Sequence, residues 1–286
     1  MADDVPSWRE IEKASRALTA RFPGDRFLKT VLRGCIKVGK QKSNPIRGNF
    51  VAAGLREAVN HIIHKLAPDD EVRGCVWFVP AEDTDTVTRK QRAIYIIKGG
   101  LPDEFVKEEL QIEVAPDAKA LSDMINGLNR STHVRPNTIL AEGAPVRRLF
   151  HNVLDAVDAL LDAAEDSRSA VREAVASALH NRVFERLISE TIQELDELST
   201  HTTVDHHWID AIEVEDINSE TIRYEVAGTV AVELQFGSNS DVRADIGFRT
   251  TDSYPYEATV TCAVADPLGV DPGGIELKID NSSFFE

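Results

Sequence analysis

The stretch 222–241 constrains the fold more than any other part of this sequence. It consists of IRYEVAGTVAVELQFGSNSD, in which apolar and polar residues alternate on both sides of Ala227-Gly228. Alternation with a period of two is typical of strands that are buried on one face, and it predicts a β-hairpin in which two strands meet at Ala227-Gly228. The apolar side chains would share one face of this hairpin. The opposite face would be polar and would carry Arg223, Glu225, Glu233 and Gln235.

Runs rich in β-branched and aromatic residues continue the strand pattern on both sides of this stretch. Gly, Asn, Ser and Pro separate the runs, as is typical of an antiparallel sheet with short connections. The predicted strands are 208–217, 221–227, 229–236, 256–264 and 274–279.

The first part of the chain shows helical periodicity instead. Ser7 and Glu10 match a capping box, which predicts a helix that begins there and ends at Pro23-Gly24. The best apolar stripe of this part predicts a helix over 47–66. Further helices are predicted over 25–38, 86–98, 102–110 and 116–130, and the short apolar run 75–79 predicts a buried strand or a wedge under a loop.

The acidic stretch 150–200 is almost continuously helical in pattern. Because it is longer than an ordinary helix, we expect two or three helices with breaks near Asp166-Ser167 and His180-Asn181. Its heptad-like apolar positions are compatible with a short coiled coil or a seam through which two copies would form a homodimer, and equally with a helical linker packed on both neighbouring domains. The predicted fold class is α+β, with a helical N-terminal domain over 1–140, a helical connector over 141–200 and an antiparallel β-sheet packed on helices over 201–286.

Charge and cysteine content limit the classes of function. The formal net charge is -16, which repels phosphate backbones at long range, so nucleic-acid binding requires a local basic patch. The N-terminal MADDVPSWRE lacks the pattern of a secretory signal, and no apolar run approaches the roughly 18 residues of a membrane span. The three cysteines are far apart, as in reduced cytoplasmic proteins, and form neither a disulfide framework nor a zinc motif. We expect a cytoplasmic protein with no membrane partner.

One concentrated basic patch does occur, on the predicted helix 25–38. Its cations recur at steps of three or four, which places them on one helix face, and further cations follow in the next loop. The residues proposed for nucleic-acid binding are Arg26, Lys29, Arg33, Lys37 and Arg47. A solvated face that pairs with acidic neighbours is one interpretation, and contact with nucleic acid is the other.

A second candidate site lies on the predicted helix 47–66. Arg56 and His61 have the Arg-x4-His spacing of HEPN-type ribonucleases, which suggests RNA cleavage without a metal. Five residues correspond to a rotation of about 140° on a continuous helix, so the pair would need a bend or a dimer to converge. Glu57, His61 and His64 lie on one face and offer metal ligands instead, and a plain polar surface is the third interpretation.

Several segments of the chain together resemble a known bacterial family. These segments are FVAAGLREAVNHIIHKLAPDDEV (50–72), GCVWF (74–78), RSTHVRP (130–136), LISETIQELDEL (187–198) and VAVELQFGSNSD (230–241). The resemblance is to predicted pPIWI-associating nucleases, and it implies a role beside prokaryotic Argonaute-like or other defence systems. It also implies nuclease activity mainly in residues 180–265, with nucleic acid and a defence-system protein as partners.

A nuclease of the restriction-endonuclease kind needs two or three carboxylates to bind a divalent metal, Mg²⁺ or Mn²⁺, and a Lys or Gln to position the attacking water. The segment 233–235 provides a Glu-x-Gln version of that motif in the middle of the predicted sheet. The same pattern arises on a solvated strand face, so a non-enzymatic interaction or regulatory module without a cofactor is the rival function. The candidate catalytic residues are Glu225, Glu233, Gln235 and Asp216, of which Glu225 and Glu233 would bind the metal.

Overall fold

The computed structural model describes residues 5–82, 84–189 and 192–285, and within them helices precede a β-sheet. The helices are α1 (Trp8–Ala20), α2 (Arg26–Gly39), α3 (Arg47–Leu66), α4 (Asp69–Gly74), α5 (Arg89–Lys98), α6 (Asp103–Glu108), α7 (Ala115–Thr132), α8 (Gly143–Ser189), α9 (Gln193–Asp196) and α10 (Asn239–Arg243). The strands are β1 (His201–Ile217), β2 (Thr221–Phe236), β3 (Phe248–Ala263) and β4 (Ile275–Ile279). Short 3-10 helices at Pro272–Gly274 and Ser282–Phe285 flank β4. The chain is therefore α+β, as the sequence predicts.

These elements form two compact units. The first comprises the described residues up to Gly74 together with Phe78–Gly99 and Ile112–Ser167. The second comprises Cys75–Trp77, Gly100–Gln111 and the described residues from Arg168 onward. Helix α8 supplies residues to both units, because the division falls within it.

Helices α1 and α2 begin where the sequence predicts. The hydroxyl of Ser7 accepts a hydrogen bond from the backbone N–H of Glu10, and the Glu10 carboxylate accepts one from the Ser7 N–H, which confirms the capping box. Asp25 caps α2 by accepting from the N–H of Leu28 at 2.9 Å. Between the two helices Gly24 has a φ of 80°, a left-handed conformation that favours glycine, so the chain can turn there.

The core of the first unit is organised around α3, whose bounds are those predicted. Its apolar side chains are almost fully buried, and the helix packs against α2, α5 and α7. Burial of each large aliphatic side chain contributes about 1.5–3 kcal/mol, so this stripe is a main source of stability for the unit. The stripe consists of Val51, Leu55, Val59, Ile62 and Ile63.

The second unit contains a four-stranded antiparallel sheet in the order β1-β2-β3-β4. Alternate residues of β2 and β3 are buried, and residues directly opposite each other share a face of the sheet. Tyr224 lies opposite Val260, and Val230 lies opposite Tyr254. The buried face therefore combines aliphatic and tyrosine side chains, and the alternation is the one that the sequence predicts.

The predicted hairpin at Ala227-Gly228 is wrong, because β2 runs through this position without interruption. Gly228 is paired on both sides, with Ile209 on β1 and Tyr256 on β3. A Cβ atom on Gly228 would lie 2.2 Å from the carbonyl oxygen of Trp208 and 2.5 Å from the Tyr256 side chain. Glycine therefore permits a close approach between neighbouring strands and does not mark a turn.

Helix α8 is a single helix of 47 residues, so the predicted breaks near Asp166-Ser167 and His180-Asn181 are wrong. Neither position carries Gly or Pro, and the buried stripe continues through both. Ser167 is itself fully buried, which places this small polar residue within the stripe. The apolar members of the stripe are Leu160, Ala164, Val171, Val175, Leu179 and Val183.

Two further expectations concern apolar segments. The run 75–79 forms no strand, and both Val76 and Val79 are exposed, which corrects the buried strand predicted there. In the part of the chain that the structure describes, no helix combines the length and the apolarity that a membrane crossing requires.

Candidate nucleic-acid interface

Helix α2 presents a row of exposed cations at steps of three or four, while Leu28, Leu32 and Cys35 are buried on its inner side. None of these cations forms an ion pair with any residue that the structure describes. Unpaired cations on one helix face are the usual contact surface for phosphate groups. We call these residues the α2 basic face: Arg26, Lys29, Arg33 and Lys37.

Two neighbouring cations of the predicted patch have partners instead. Lys40 forms an ion pair with Glu12 of α1. Arg47 is 7% exposed, and its Nε donates a hydrogen bond to the carbonyl oxygen of Ala141 at 2.9 Å. Arg47 therefore holds the start of α3 in place, and its burial removes it from the predicted set of nucleic-acid contacts.

The carboxylate of Asp25 connects the start of α2 to α3. One of its oxygens accepts from the N–H of Leu28, and the other lies 2.8 Å from Nε2 of His61 and 3.2 Å from Nζ of Lys65. The Asp25 side chain is only 6% exposed. The hydrogen bond from the Leu28 N–H, followed by the bond from His61, lowers the pKa of Asp25 to about 2. This carboxylate is therefore ionised at neutral pH.

His61 is held between this carboxylate and an aromatic ring. Its ring centroid lies 4.7 Å from that of Phe27, at an interplanar angle of 51°. Because a carboxylate only accepts hydrogen bonds, the neutral imidazole carries its proton on Nε2, and Nδ1 keeps a free lone pair. The His61 side chain is 33% exposed. His61 is thus an oriented and accessible base at the N-terminal end of α2, the helix that Asp25 caps.

Arg56, the other residue of the predicted Arg-x4-His pair, forms an ion pair with Glu57. Its guanidinium donates to Glu57 at 2.7 and 3.0 Å. Because α3 is continuous, Arg56 and His61 are separated by a rotation of about 140°, and one chain does not bring them together. The alternative prediction, in which Glu57, His61 and His64 bind a metal, has no support either, because no described trio of His, Cys, Asp or Glu is grouped to hold a metal. Burial and the nearby Arg92 lower the pKa of His64.

The structure places Glu225 and Glu233 on the same face of β2 but eight residues apart, or roughly 26 Å along the strand. Glu225 accepts hydrogen bonds from the hydroxyl of Thr259 and from Arg223, and Glu233 pairs with Arg249 at 3.2 Å. The two carboxylates are too far apart to bind one ion. The site predicted from the hairpin is therefore not assembled, because the turn that would have brought the two glutamates together does not exist.

The remaining predicted residues of the sheet have structural partners. Gln235 is 5% exposed; its Nε2 donates to the carbonyl oxygen of Gly237 at 3.0 Å, and its Oε1 accepts from Nε of Arg249 at 2.9 Å. Asp216 accepts from the side-chain amide of Asn218 at 3.1 Å, next to the turn between β1 and β2. Gln235 shares Arg249 with Glu233 and so lies near one of the two glutamates, but neither Gln235 nor Asp216 joins Glu225 and Glu233 into a common set of metal ligands.

The sequence places His201, His206 and His207 close together, and we expect these histidines to be structural; in the second unit, His207 is buried. Nε2 of His207 donates to the carbonyl oxygen of His180 at 3.1 Å, and Nδ1 accepts from the hydroxyl of Tyr256 at 2.9 Å. Its ring stacks on that of His180 with centroids 4.4 Å apart. Burial, and then the charge of His180, lowers the pKa of His207. Both ring nitrogens are engaged, so His207 links the sheet to α8 and has no free lone pair for catalysis.

The fold and the α2 basic face together define an α+β protein with a cationic helical surface, and comparison with known families adds the family. Residues 19–157 and residues 164–285 each match a family model described as predicted pPIWI-associating nuclease. The chain therefore belongs to the family of predicted pPIWI-associating nucleases, which confirms the resemblance seen in the sequence. Searches of curated proteins and of solved structures found no match.

Proposed function

We propose that this protein binds RNA through the α2 basic face and cleaves it with His61 as the general base. The observation that carries the proposal is a row of exposed cations on α2, unpaired among the described residues, in a chain of net charge -16. Asp25 caps the same helix and orients His61 at its N-terminal end. Membership of a predicted nuclease family supports phosphodiester cleavage as the class of reaction.

The proposed chemistry follows from the orientation of the imidazole. Nδ1 of His61 accepts the proton of a ribose 2′-hydroxyl, whose oxygen attacks the adjacent phosphorus. The bond to the 5′-oxygen breaks, and this oxygen takes a proton from water or from a second His61 in a dimer, which leaves a 2′,3′-cyclic phosphate. Asp25 stabilises the imidazolium that forms, and the α2 basic face stabilises the charge on the phosphate. DNA is no substrate by this route, because it lacks the 2′-hydroxyl.

Metal-dependent hydrolysis at the sheet, with Mg²⁺ or Mn²⁺, has less support from the geometry. Besides the distance between Glu225 and Glu233, the charge of this face is unfavourable for a phosphate backbone. Glu225 of β2 lies opposite Glu213 of β1 on one side and opposite Thr259 of β3 on the other. Thr259 in turn lies opposite Glu276 of β4, so the row across the sheet is acidic. The proposal therefore places the reaction at His61 and assigns it no metal.

The test is cleavage of one end-labelled RNA and of the DNA of the same sequence, each in EDTA, Mg²⁺ or Mn²⁺. We expect RNA cleavage in EDTA that falls by about 100-fold or more in His61→Ala. His133→Ala is the matched control, because His133 is exposed and lies on the α7 C-cap, and it should cleave as the wild type does. Cleavage that requires a metal and is lost in Glu233→Ala would overturn the assignment to His61.

A partner protein is the second part of the proposal. The description of the family names association with pPIWI proteins, so a protein of that kind, in a defence system, is the first partner to test. If the chain binds RNA but neither RNA nor DNA is cut, with or without that partner, the function is that of a binding module and the catalytic proposal is wrong.

A further inference from the structure

A groove of about 330 Å³ lies between α1 and α2. This volume is at the lower end of the range for small-molecule sites. All of its walls belong to the first unit, so the groove does not depend on the sheet. Helix α1 contributes Glu12, Ser15, Arg16 and Thr19, and helix α2 contributes Lys29, Leu32, Arg33 and Ile36.

The charge of the groove is positive. Arg16, Lys29 and Arg33 are exposed cations, and within the described chain none of them is in an ion pair. The one acid in the lining, Glu12, is already paired with Lys40, which does not line the groove. Glu12 also feels the charge of Arg16, but three cations line the groove against this one carboxylate, and Lys40 already pairs with it. The excess of positive charge favours an anion with more than one negative charge, such as a phosphate monoester.

The interior of the groove adds one polar and two apolar features. Ser15 is 5% exposed, and its buried hydroxyl has no hydrogen-bond partner among the described residues. Buried hydroxyl groups are normally hydrogen-bonded, so an acceptor or donor from a ligand would satisfy this group. Leu32 and Ile36 form an apolar wall beside it. A ligand that matches the cations, the Ser15 hydroxyl and the apolar wall carries a phosphate at one end and an apolar, hydrogen-bonding group at the other.

We propose that this groove binds a phosphate monoester attached to a planar base, with the size and chemistry of a mononucleotide. The phosphate contacts Arg16, Lys29 and Arg33, and the base lies against Leu32 and Ile36 with a hydrogen bond to Ser15. The proposal goes beyond cleavage, because binding in the groove requires neither Asp25 nor His61. The ligand is a free mononucleotide or the phosphorylated terminal nucleotide of a strand, since both present this chemistry.

The test is calorimetric titration of the full chain with adenosine 5′-monophosphate, adenosine and inorganic phosphate. We expect the mononucleotide to bind at least about tenfold more tightly than either fragment, and Arg16→Gln to weaken that binding by about tenfold. Arg26→Gln is the matched control, because Arg26 lies on the same basic face but does not line the groove, and its affinity for the mononucleotide should equal that of the wild type. Equal losses in Arg16→Gln and Arg26→Gln would overturn the proposal, since they would indicate a diffuse charge effect.

A second variant tests the interior of the groove. Ser15→Ala removes only a hydroxyl that has no hydrogen-bond partner in the described part of the chain, so it should fold at least as well as the wild type and bind the mononucleotide several-fold more weakly. Unchanged affinity in Ser15→Ala, or no binding by the wild type, would contradict the proposed site. Oligonucleotides with and without a terminal phosphate then separate the two sources. Tighter binding of the phosphorylated strand, lost in Arg16→Gln, identifies a strand end, and equal binding of both strands identifies the free mononucleotide.

The outcome is separable from that of the proposed ribonuclease activity. Arg16 lies on α1, outside the α2 basic face, so Arg16→Gln should cleave RNA at close to the wild-type rate while losing the mononucleotide. If every variant, Arg26→Gln included, loses mononucleotide binding while RNA cleavage stays intact, only the proposed groove site is overturned. If the mononucleotide binds as expected but RNA is not cleaved, only the proposed reaction at His61 is overturned.

Discussion

The carboxylate of Asp25 has two roles, since it caps α2 and also orients the ring of His61. Its pKa of about 2 has a consequence for stability. A carboxylate whose pKa is lower in the folded state stabilises that state above its unfolded pKa of about 3.9, and the stabilisation is lost as the pH falls through the folded pKa. Asn is an equally good cap residue, so Asp25→Asn removes the charge and keeps the cap.

We therefore expect Asp25→Asn to be less stable than the wild type by a constant amount above about pH 5, and the difference to shrink between about pH 4 and about pH 2. Urea unfolding of both proteins over this range measures it. Asp70→Asn, which changes an exposed carboxylate on α4, is the control and should show no such window. A difference between Asp25→Asn and the wild type that persists undiminished at about pH 2 would contradict the role of the charge.

The buried His207 makes stability depend on pH in the same direction as Asp25, but in a higher pH range. Burial lowers its pKa, so the unfolded chain takes up a proton near pH 6.5 while the folded chain does not, and stability falls as the pH falls below that value. The loss is at most about 1.4 kcal/mol per pH unit for one proton. His207→Gln removes the titration, and we expect its free energy of unfolding to decline less between about pH 7.5 and pH 5.5. His64, whose pKa is also lowered, is present in both proteins and cancels in the comparison; identical slopes for both proteins would show that His207 is not the titrating group.

At the scale of single elements, β2 depends on Gly228. Because a Cβ atom there would lie 2.2 Å from a backbone oxygen of β1, Gly228→Ala forces neighbouring strands apart, and we expect a loss of about 1–3 kcal/mol in the free energy of unfolding. Gly34→Ala is the matched control, since Gly34 lies within α2 and a Cβ atom there would have no neighbour within 4 Å, and it should raise stability by about 0.5–1 kcal/mol. Chemical denaturation of both variants measures these changes, and a neutral Gly228→Ala would contradict the close packing described for the sheet.

The sequence predicts elements well where one local pattern decides them. The apolar stripe of α3 and the capping box of α1 depend on residues within a few positions of each other, so their bounds follow from periodicity and capping alone. The predicted hairpin is wrong because Gly228 is a residue within a continuous strand and not a turn residue. The buried residues of β2 keep the same alternation before and after it, and that continuous phase was the signal for one long strand. The breaks predicted in α8 are wrong because length alone does not indicate a break where neither Gly nor Pro interrupts the buried stripe.

At the scale of the whole molecule, the candidate site depends on residues that are distant in sequence. Asp25 and His61 are 36 residues apart, and only the packing of α2 on α3 joins them. The basic row is visible in the sequence. Its lack of ion-pair partners among the residues that the structure describes is not, because that depends on where the acidic side chains lie. Arg47 shows the same limit, since no local pattern distinguishes a buried arginine from an exposed one.

The contact between the α2 basic face and RNA is the central claim, and the salt dependence of binding tests it most directly. Single-stranded RNA binding by the wild type is compared with that of a variant carrying Arg26→Gln, Lys29→Gln, Arg33→Gln and Lys37→Gln. The control carries Lys90→Gln, Lys107→Gln, Arg148→Gln and Arg172→Gln, which are exposed cations elsewhere, so both variants change the net charge equally. We expect the slope of log affinity against log salt to fall by about 3 in the first variant, because each lost phosphate contact removes about 0.7, and to change little in the control. Equal changes of slope in the two variants would contradict a localised interface on α2.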